Sequence, residues 1–136
     1  MNIIMAKKIR IPVFADDRGE LGAPLTGGAL PFTVGNVFFI RGVPSGVCRG
    51  GHAHKESVQA LFCLAGGLKV LVDDARRREE FLLEPGSDAL LIESGEWAEE
   101  YDFLPGTVVM VIASQPYRES DYLRDYSAYI EWKSSH

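Results

Sequence analysis

Short apolar runs, each closed within a few positions by turn-forming residues, recur along nearly the whole of this chain. That rhythm favours the strands of an all-β sandwich or barrel over helices. Residues 9–14 read as a strand, with Pro12 marking an edge, and Asp16-Asp17-Arg18-Gly19 as the turn after it. A Gly- and Pro-rich connection over 22–35 leads to a strand at 36–41, a loop through Pro44 and Gly46, and a histidine segment at 51–55. Residues 58–64 form a near-continuous apolar strand ended by Gly66-Gly67. Further strands are expected at 68–72, 79–83, 89–92, 97–103 and 107–112, separated by Asp73-Asp74, Glu84-Pro85-Gly86, Ser94-Gly95 and Pro105-Gly106. Within 97–103, Trp97, Glu99, Tyr101 and Phe103 share one face. Helical spacing appears only near the end, at Tyr122, Leu123, Tyr126, Tyr129 and Ile130, with Ser120 or Asp121 as cap, and predicts a short C-terminal helix.

A chain of 136 residues is expected to be one domain, 1–136, large enough for a full hydrophobic core. Its formal charge of −5 argues against nucleic acid or an anionic membrane as the main partner. No apolar run approaches the ~20 residues needed to span a bilayer. The charges of Lys7 and Lys8 follow the short apolar start, the wrong order for a signal peptide, so the expected compartment is the cytoplasm. Cys48 and Cys63 lack CxxC spacing, and Cys63 reads as a buried thiol in an apolar run.

The chemistry concentrates in Arg49-Gly50-Gly51-His52-Ala53-His54-Lys55. The sequence has 3 histidines, and the third is the terminal His136. In a strand, residues i and i+2 face the same way, so His52 and His54 present two imidazoles to one surface. Two glycines before the pair allow close backbone approach. Arg49 and Lys55 flank it and suit an anionic ligand such as a phosphate. The same spacing also suits a metal site.

The pattern resembles the cupin family, whose first motif carries His-x-His, then Glu, then Gly, and whose second carries a further His. His52, His54 and Gly66 match the first motif, and Gly86 and Gly95 match glycines of the second. Gln59 stands at the glutamate ligand, Glu93 at a proline, and Ala98 at the last histidine, so two of four metal ligands are missing. The departures are similar to the sugar-nucleotide 3,4-ketoisomerases, metal-free cupins acting on dTDP-4-keto-6-deoxyglucose. That resemblance rests on the histidine segment with Gln59, Cys63, Asp73-Asp74, Trp97, Tyr101-Asp102-Phe103 and the run Ser120-Asp121-Tyr122-Leu123-Arg124-Asp125-Tyr126, and it extends from Arg18-Gly19 to Tyr126.

The resemblance implies a cupin-type jelly-roll β-barrel with a short C-terminal helix, a homodimer, a dTDP-linked keto-deoxysugar as substrate, and neither metal nor other cofactor. A base would remove the C3 proton, an enediolate would form, a proton would return at C4, and hydroxyl protons would be redistributed between O3 and O4. His52 and His54 are the expected catalytic pair. His54 is favoured for carbon and His52 for oxygen exchange or for orienting the ketone, with the reverse assignment open. Arg49, Lys55, Gln59, Arg18 and Trp97 are the expected substrate-binding residues. Gln59 has odd parity relative to His54 and shares its cavity only if the chain breaks near Glu56-Ser57. The ketoisomerases usually have Trp-His-Glu where this chain has Trp97-Ala98-Glu99, and tyrosine on the strand of Phe38-Phe39. A relay through a third imidazole or a strand phenol is therefore not expected. The competing readings are a non-catalytic sugar-nucleotide-binding cupin, a metal-dependent cupin enzyme and a 3,5-epimerase.

Overall fold

The run Val108-Val109-Met110-Val111-Ile112 is dominated by β-branched residues, which fit a pleated surface packed on both faces. It becomes an interior strand of the fold. The computed structural model describes residues 4–86 and 88–136. Its strands are β1 (Lys7–Arg10), β2 (Val13–Asp16), β3 (Gly19–Gly22), β4 (Asn36–Arg41), β5 (Arg49–His54), β6 (Gln59–Ala65), β7 (Leu68–Asp73), β8 (Arg78–Leu83), β9 (Asp88–Ile92), β10 (Trp97–Tyr101), β11 (Val108–Ala113) and β12 (Tyr122–Leu123), followed by helix α1 (Tyr126–Ser134). They form two five-stranded antiparallel sheets, in the orders β1-β9-β6-β11-β4 and β12-β5-β10-β7-β8, with β2 and β3 as a separate hairpin.

The main core lies between the sheets. Leu61, Leu90, Val109 and Val111 meet Leu68, Val70, Val72 and Leu83 there, all nearly inaccessible. The alternate residues of the first sheet, Ala60, Phe62, Leu91 and Ile112, pack outward under Ile11 and Leu30. The outer face of the second sheet is closed by α1 through Ala53, Trp97 and Tyr129.

Three expectations change. The jelly-roll architecture holds, but the barrel is not closed: no backbone ladder joins β4 to β12 or β1 to β8 among the described residues. A side chain spans one seam, and the other is left open. Lys8 Nζ donates to Leu82 O at 2.6 Å on one side, and the seam between β4 and β12 holds a cavity. The strand expected over 9–14 is two strands. Pro12 has no N–H to continue the β1–β9 ladder, and the chain turns away after Arg10 to pair β2 with β3. The helix starts at Tyr126, not at Tyr122. Asp125 caps it by accepting from Ala128 N at 2.9 Å, while Tyr122 and Leu123 pair with His54 and Ala53 of β5.

Candidate active site

The histidine strand carries a bulge. Ala98 of β10 pairs with His52, yet Glu99 pairs with Gly50 and Glu100 with Arg49, so Gly51 is an extra residue. Gly50 and Gly51 both take positive φ, 79° and 63°, which a residue with a Cβ adopts only under strain. The bulge has a direct consequence for the site. Without it, Arg49 and His52 have opposite parity and point to opposite faces. With it, both reach the inner face of the sheet, beside Glu100. A second break follows at Lys55 and Glu56, between β5 and β6, and returns Gln59 to the same interior.

The result is a cavity of about 220 Å³ at the open seam, walled by Phe38, Arg49, His52, Gln59, Glu100, Tyr122 and Arg124 among others. It is smaller than the ~300–1,000 Å³ of pockets that enclose drug-sized ligands. It therefore fits the reacting portion of a larger ligand, whose remainder would lie along the seam. His54 lines an adjoining space of about 10 Å³, the size of one water, which shares Phe38, Gln59 and Tyr122 with the larger cavity.

The two imidazoles lie with ring centroids 5.0 Å apart, edge to face, and Tyr122 sits 5.0 Å from His52 and 4.3 Å from His54. His54 Nδ1 is 2.9 Å from Asp121 Oδ2, and Asp121 Oδ1 accepts from Glu56 N at 2.7 Å. A carboxylate only accepts, so Nδ1 carries the proton and Nε2 presents its lone pair. His54 Nε2 and His52 Nδ1 are buried without a hydrogen-bond partner among the described residues. Burial lowers the His54 pKa against the opposing pull of Asp121. Burial, then the neighbouring His54, Arg124 and Arg49, lower His52 to about 4. Both rings are thus neutral near pH 7. Burial alone would raise the Asp121 pKa, but hydrogen bonds from His54 and the backbone hold it below the ordinary carboxylate range. Arg124 stacks 4.1 Å above the Tyr122 ring and is anchored by Glu119 at 2.7 Å. Glu100, almost wholly buried, is pushed up to about 7 because burial outweighs the nearby Arg49.

The fold brings together His52, Arg49 and Gln59, with His54 adjoining. It places the other three expected binding residues elsewhere. Lys55 lies past the end of β5 on an exposed bend. Arg18 is at the tip of the β2–β3 hairpin, 86% exposed and paired with Asp16 at 2.6 Å. Trp97 has opposite parity to Ala98, so its ring faces outward against Tyr126 and Tyr129, with Nε1 donating to Glu99 at 2.8 Å. Glu100, Asp121, Tyr122 and Arg124 also line the two cavities and were not singled out as site residues from sequence. For Glu100 the signal was present, since outward Trp97 and Glu99 require inward Ala98 and Glu100. No group of three or more His, Cys, Asp or Glu side chains is placed to share a metal ion among the described residues.

The family model FdtA (WxcM-like, C-terminal) matches residues 5–134. The chain belongs to this family. It is 36% identical over 120 residues, 88% of this chain and 86% of the relative, to the TDP-4-oxo-6-deoxy-α-D-glucose-3,4-oxoisomerase of Aneurinibacillus thermoaerophilus. The fold of this FdtA-family chain matches a 3,4-ketoisomerase from Helicobacter canadensis with a TM-score of 0.92 at 28% identity, covering 97% of this chain and 99% of the other. It matches equally, at 31% identity and 96% and 95% coverage, a histidine-to-asparagine mutant of the 3,4-ketoisomerase QdtA from Thermoanaerobacterium thermosaccharolyticum in complex with TDP-4-keto-6-deoxyglucose, with a TM-score of 0.92. These FdtA-like relatives are 3,4-ketoisomerases, and so is this chain.

Proposed function

We propose that the substrate is a dTDP-linked 4-keto-6-deoxyhexose and that His52 and His54 carry the proton chemistry of its isomerisation to the 3-keto sugar. The observation that carries this reading is the placement of a neutral imidazole, His52, on the wall of a cavity that two guanidinium groups, Arg49 and Arg124, also line. The cavity geometry favours the reverse of the two role assignments, which the sequence left open. His52 lines the 220 Å³ cavity, whereas His54 has room beside it for a single water. His52 is then the base that removes the C3 proton, and His54, oriented by Asp121, supports it from behind. As the C3–H pair moves into the C3–C4 bond, negative charge develops on O4. Arg49, Arg124 and the Gln59 amide are the donors available to stabilise it. The ketone makes the C3 proton acidic, so these side chains supply the acid/base and electrostatic parts without a redox step. Purified protein with dTDP-4-keto-6-deoxyglucose in heavy water should form the 3-keto isomer with deuterium at C4, and recovered 4-keto substrate should carry deuterium at C3. Neither product nor deuterium uptake, with dTDP still raising the melting temperature, would replace the isomerase reading by a sugar-nucleotide-binding one.

The same reading includes a homodimer. Val37 and Phe39 of β4 and Leu64 of β6 are more than half exposed on the outer face of the first sheet, and Phe14 and Leu21 are 61% exposed on the hairpin beside it. A second copy is the partner that would cover this apolar face. Arg18 enters the site only if that copy delivers its hairpin. Sedimentation at micromolar concentration tests this, with Phe39→Glu expected to shift the protein to monomer. Two free cysteines, Cys48 exposed and Cys63 buried, fit the reducing environment of the cytoplasm.

A further inference from the structure

Moving a ketone from C4 to C3 demands more than a carbon base. O4 must gain a proton and O3 must lose one, so some group has to give at one oxygen and take at the other. From the geometry of the cavity we infer that Glu100 is this group, a further catalytic residue that shuttles the hydroxyl proton between O4 and O3. The inference rests on the isomerase reading above.

Glu100 lies on β10 opposite Arg49 and two residues beyond Ala98, which pairs with His52, so the carboxyl and the imidazole share the inner face. It is 8% exposed and lines the same cavity as His52. Its carboxyl has no hydrogen-bond partner among the described residues, although Arg49 is near. The space it occupies is made by Gly50, where a Cβ would stand 2.8 Å from Glu100 Oε2. The bulge therefore seats an untied carboxyl against the wall that a substrate would touch.

The other polar groups facing Glu100 do this task less well. The guanidinium groups of Arg49 and Arg124 are donors without an acceptor position and cannot take a proton. The Gln59 amide does not titrate. The Tyr122 phenol is pushed above its ordinary value by burial, so it gives up its proton less readily. His52 falls to about 4, which leaves its acid form at about one part in a thousand near pH 7. A carboxyl pushed to about 7 holds both forms in comparable amounts, the condition for giving and taking in one cycle.

The steps balance. His52 takes the C3 proton, the C3–H pair becomes the C3=C4 bond, and the C4=O π pair moves to O4, which takes the proton of the Glu100 carboxyl. The product is a neutral enediol beside an imidazolium and a carboxylate. The carboxylate then takes the O3 proton, the O3–H pair becomes the C3=O π bond, and the C3=C4 pair takes the proton from the imidazolium at C4. Both side chains return to their starting forms.

Wild type, Glu100→Gln and Glu100→Asp can be compared for turnover of dTDP-4-keto-6-deoxyglucose from pH 5 to 9, and for dTDP affinity. Glu100→Gln keeps the shape and should lose about 10²-fold or more in kcat, with dTDP affinity within about twofold and the rate limb near pH 7 abolished. Glu100→Asp draws the carboxyl back by one methylene and should lose at least about tenfold while keeping a limb. A kcat within about threefold of wild type in Glu100→Gln, or a persisting limb near pH 7, overturns the role. If Glu100→Gln fails to fold, a wild-type rate in Glu100→Asp overturns it. An inactive wild type removes the isomerase reading and this role together. An active wild type with an unaffected Glu100→Gln removes only this role.

Discussion

The two faces of the second sheet are built from neighbouring residues and treat their polar groups in opposite ways. On the outer face the ring polar atoms of Trp97, Tyr126 and Tyr129 are all tied. Trp97 Nε1 donates to Glu99, Tyr126 OH to Asp73 Oδ2 at 2.7 Å, and Tyr129 OH is shared between Asp73 O and Gly95 O at 3.1 and 2.8 Å. On the inner face, one residue away along the same strands, His52 Nδ1 and His54 Nε2 have no partner among the described residues. Leaving a buried polar atom unpaired costs on the order of 1–3 kcal/mol, so the inner face carries a penalty that the outer face avoids. Folding does not need those imidazoles, and the proposed proton chemistry does. The contrast separates the aromatic anchor of α1 from the site, although Trp97 and Ala98 are adjacent.

The largest effect should come from the inner face. His52→Asn removes the proposed base and keeps the shape, so kcat should fall by at least about 10³-fold while dTDP affinity stays within a few-fold. A variant retaining a tenth of the activity would move the carbon base to another residue. The outer face should respond in the opposite way. Trp97→Ala deletes a buried indole packed between Tyr126 and Tyr129 and should destabilise the fold by about 3–5 kcal/mol in denaturant titration. The protein that remains folded should turn over near the wild-type rate. Lost turnover in folded protein would show that the two faces are not independent.

A smaller effect tests how the inner face is held. Asp121 is the one inner-site carboxylate that is fully tied, to His54 and to the backbone of Glu56. Asp121→Asn can still accept from the backbone but no longer demands a proton on His54 Nδ1. A loss of about 10–100-fold in kcat with a melting temperature lowered by only a few degrees would fit a positioning role. A large stability loss with unchanged kcat would make Asp121 an anchor of β12 and nothing more.

These contrasts were only partly legible in the sequence. The interior strands were readable because apolar runs with turn residues at both ends have few alternatives, the histidine pair was readable from spacing, and Gln59 from the family resemblance. The seam was not. β12 is only two residues long, and Tyr122 and Leu123 continue the spacing of α1, so nothing local distinguishes a strand from the first turn of a helix. Pairing with His54 and Ala53 decides it, and that contact is some 70 residues away in sequence. Asp121, Tyr122 and Arg124 went unassigned with it. Glu100 was hidden differently. It follows Glu93, Glu96 and Glu99, and a run of carboxylates reads as a solvated surface until the strand's parity is applied to each member. The bulge at Gly51 adds a further shift that no strand periodicity contains, and it alone puts Arg49 beside His52.

The titratable groups of the inner face also oppose one another in stability. His52 ionises near 6.5 when unfolded and at about 4 when folded, so its contribution to stability is full above pH 6.5 and is lost as the pH falls toward 4. His54 is shifted in the same direction and adds to that loss. Glu100 has the reverse sign. Its unfolded value is about 4.3 and its folded value about 7, so its contribution is full below pH 4.3 and is lost as the pH rises through 7. Between about pH 4.5 and 6.5 the histidine and glutamate slopes therefore subtract. The guanidinium groups of Arg49 and Arg124 line the cavity with both His52 and Glu100. Wild type should lose little stability on acidification from pH 6.5 to 4.5. Glu100→Gln should steepen that loss, and His52→Asn should shrink or invert it, each by on the order of 1–2 kcal/mol after solvent screening. Denaturant midpoints of the three proteins across the range read the slopes directly. Shifts of the same sign in both variants would mean that Glu100 is an ordinary ionised carboxylate, and the inner face would lose its second proton carrier.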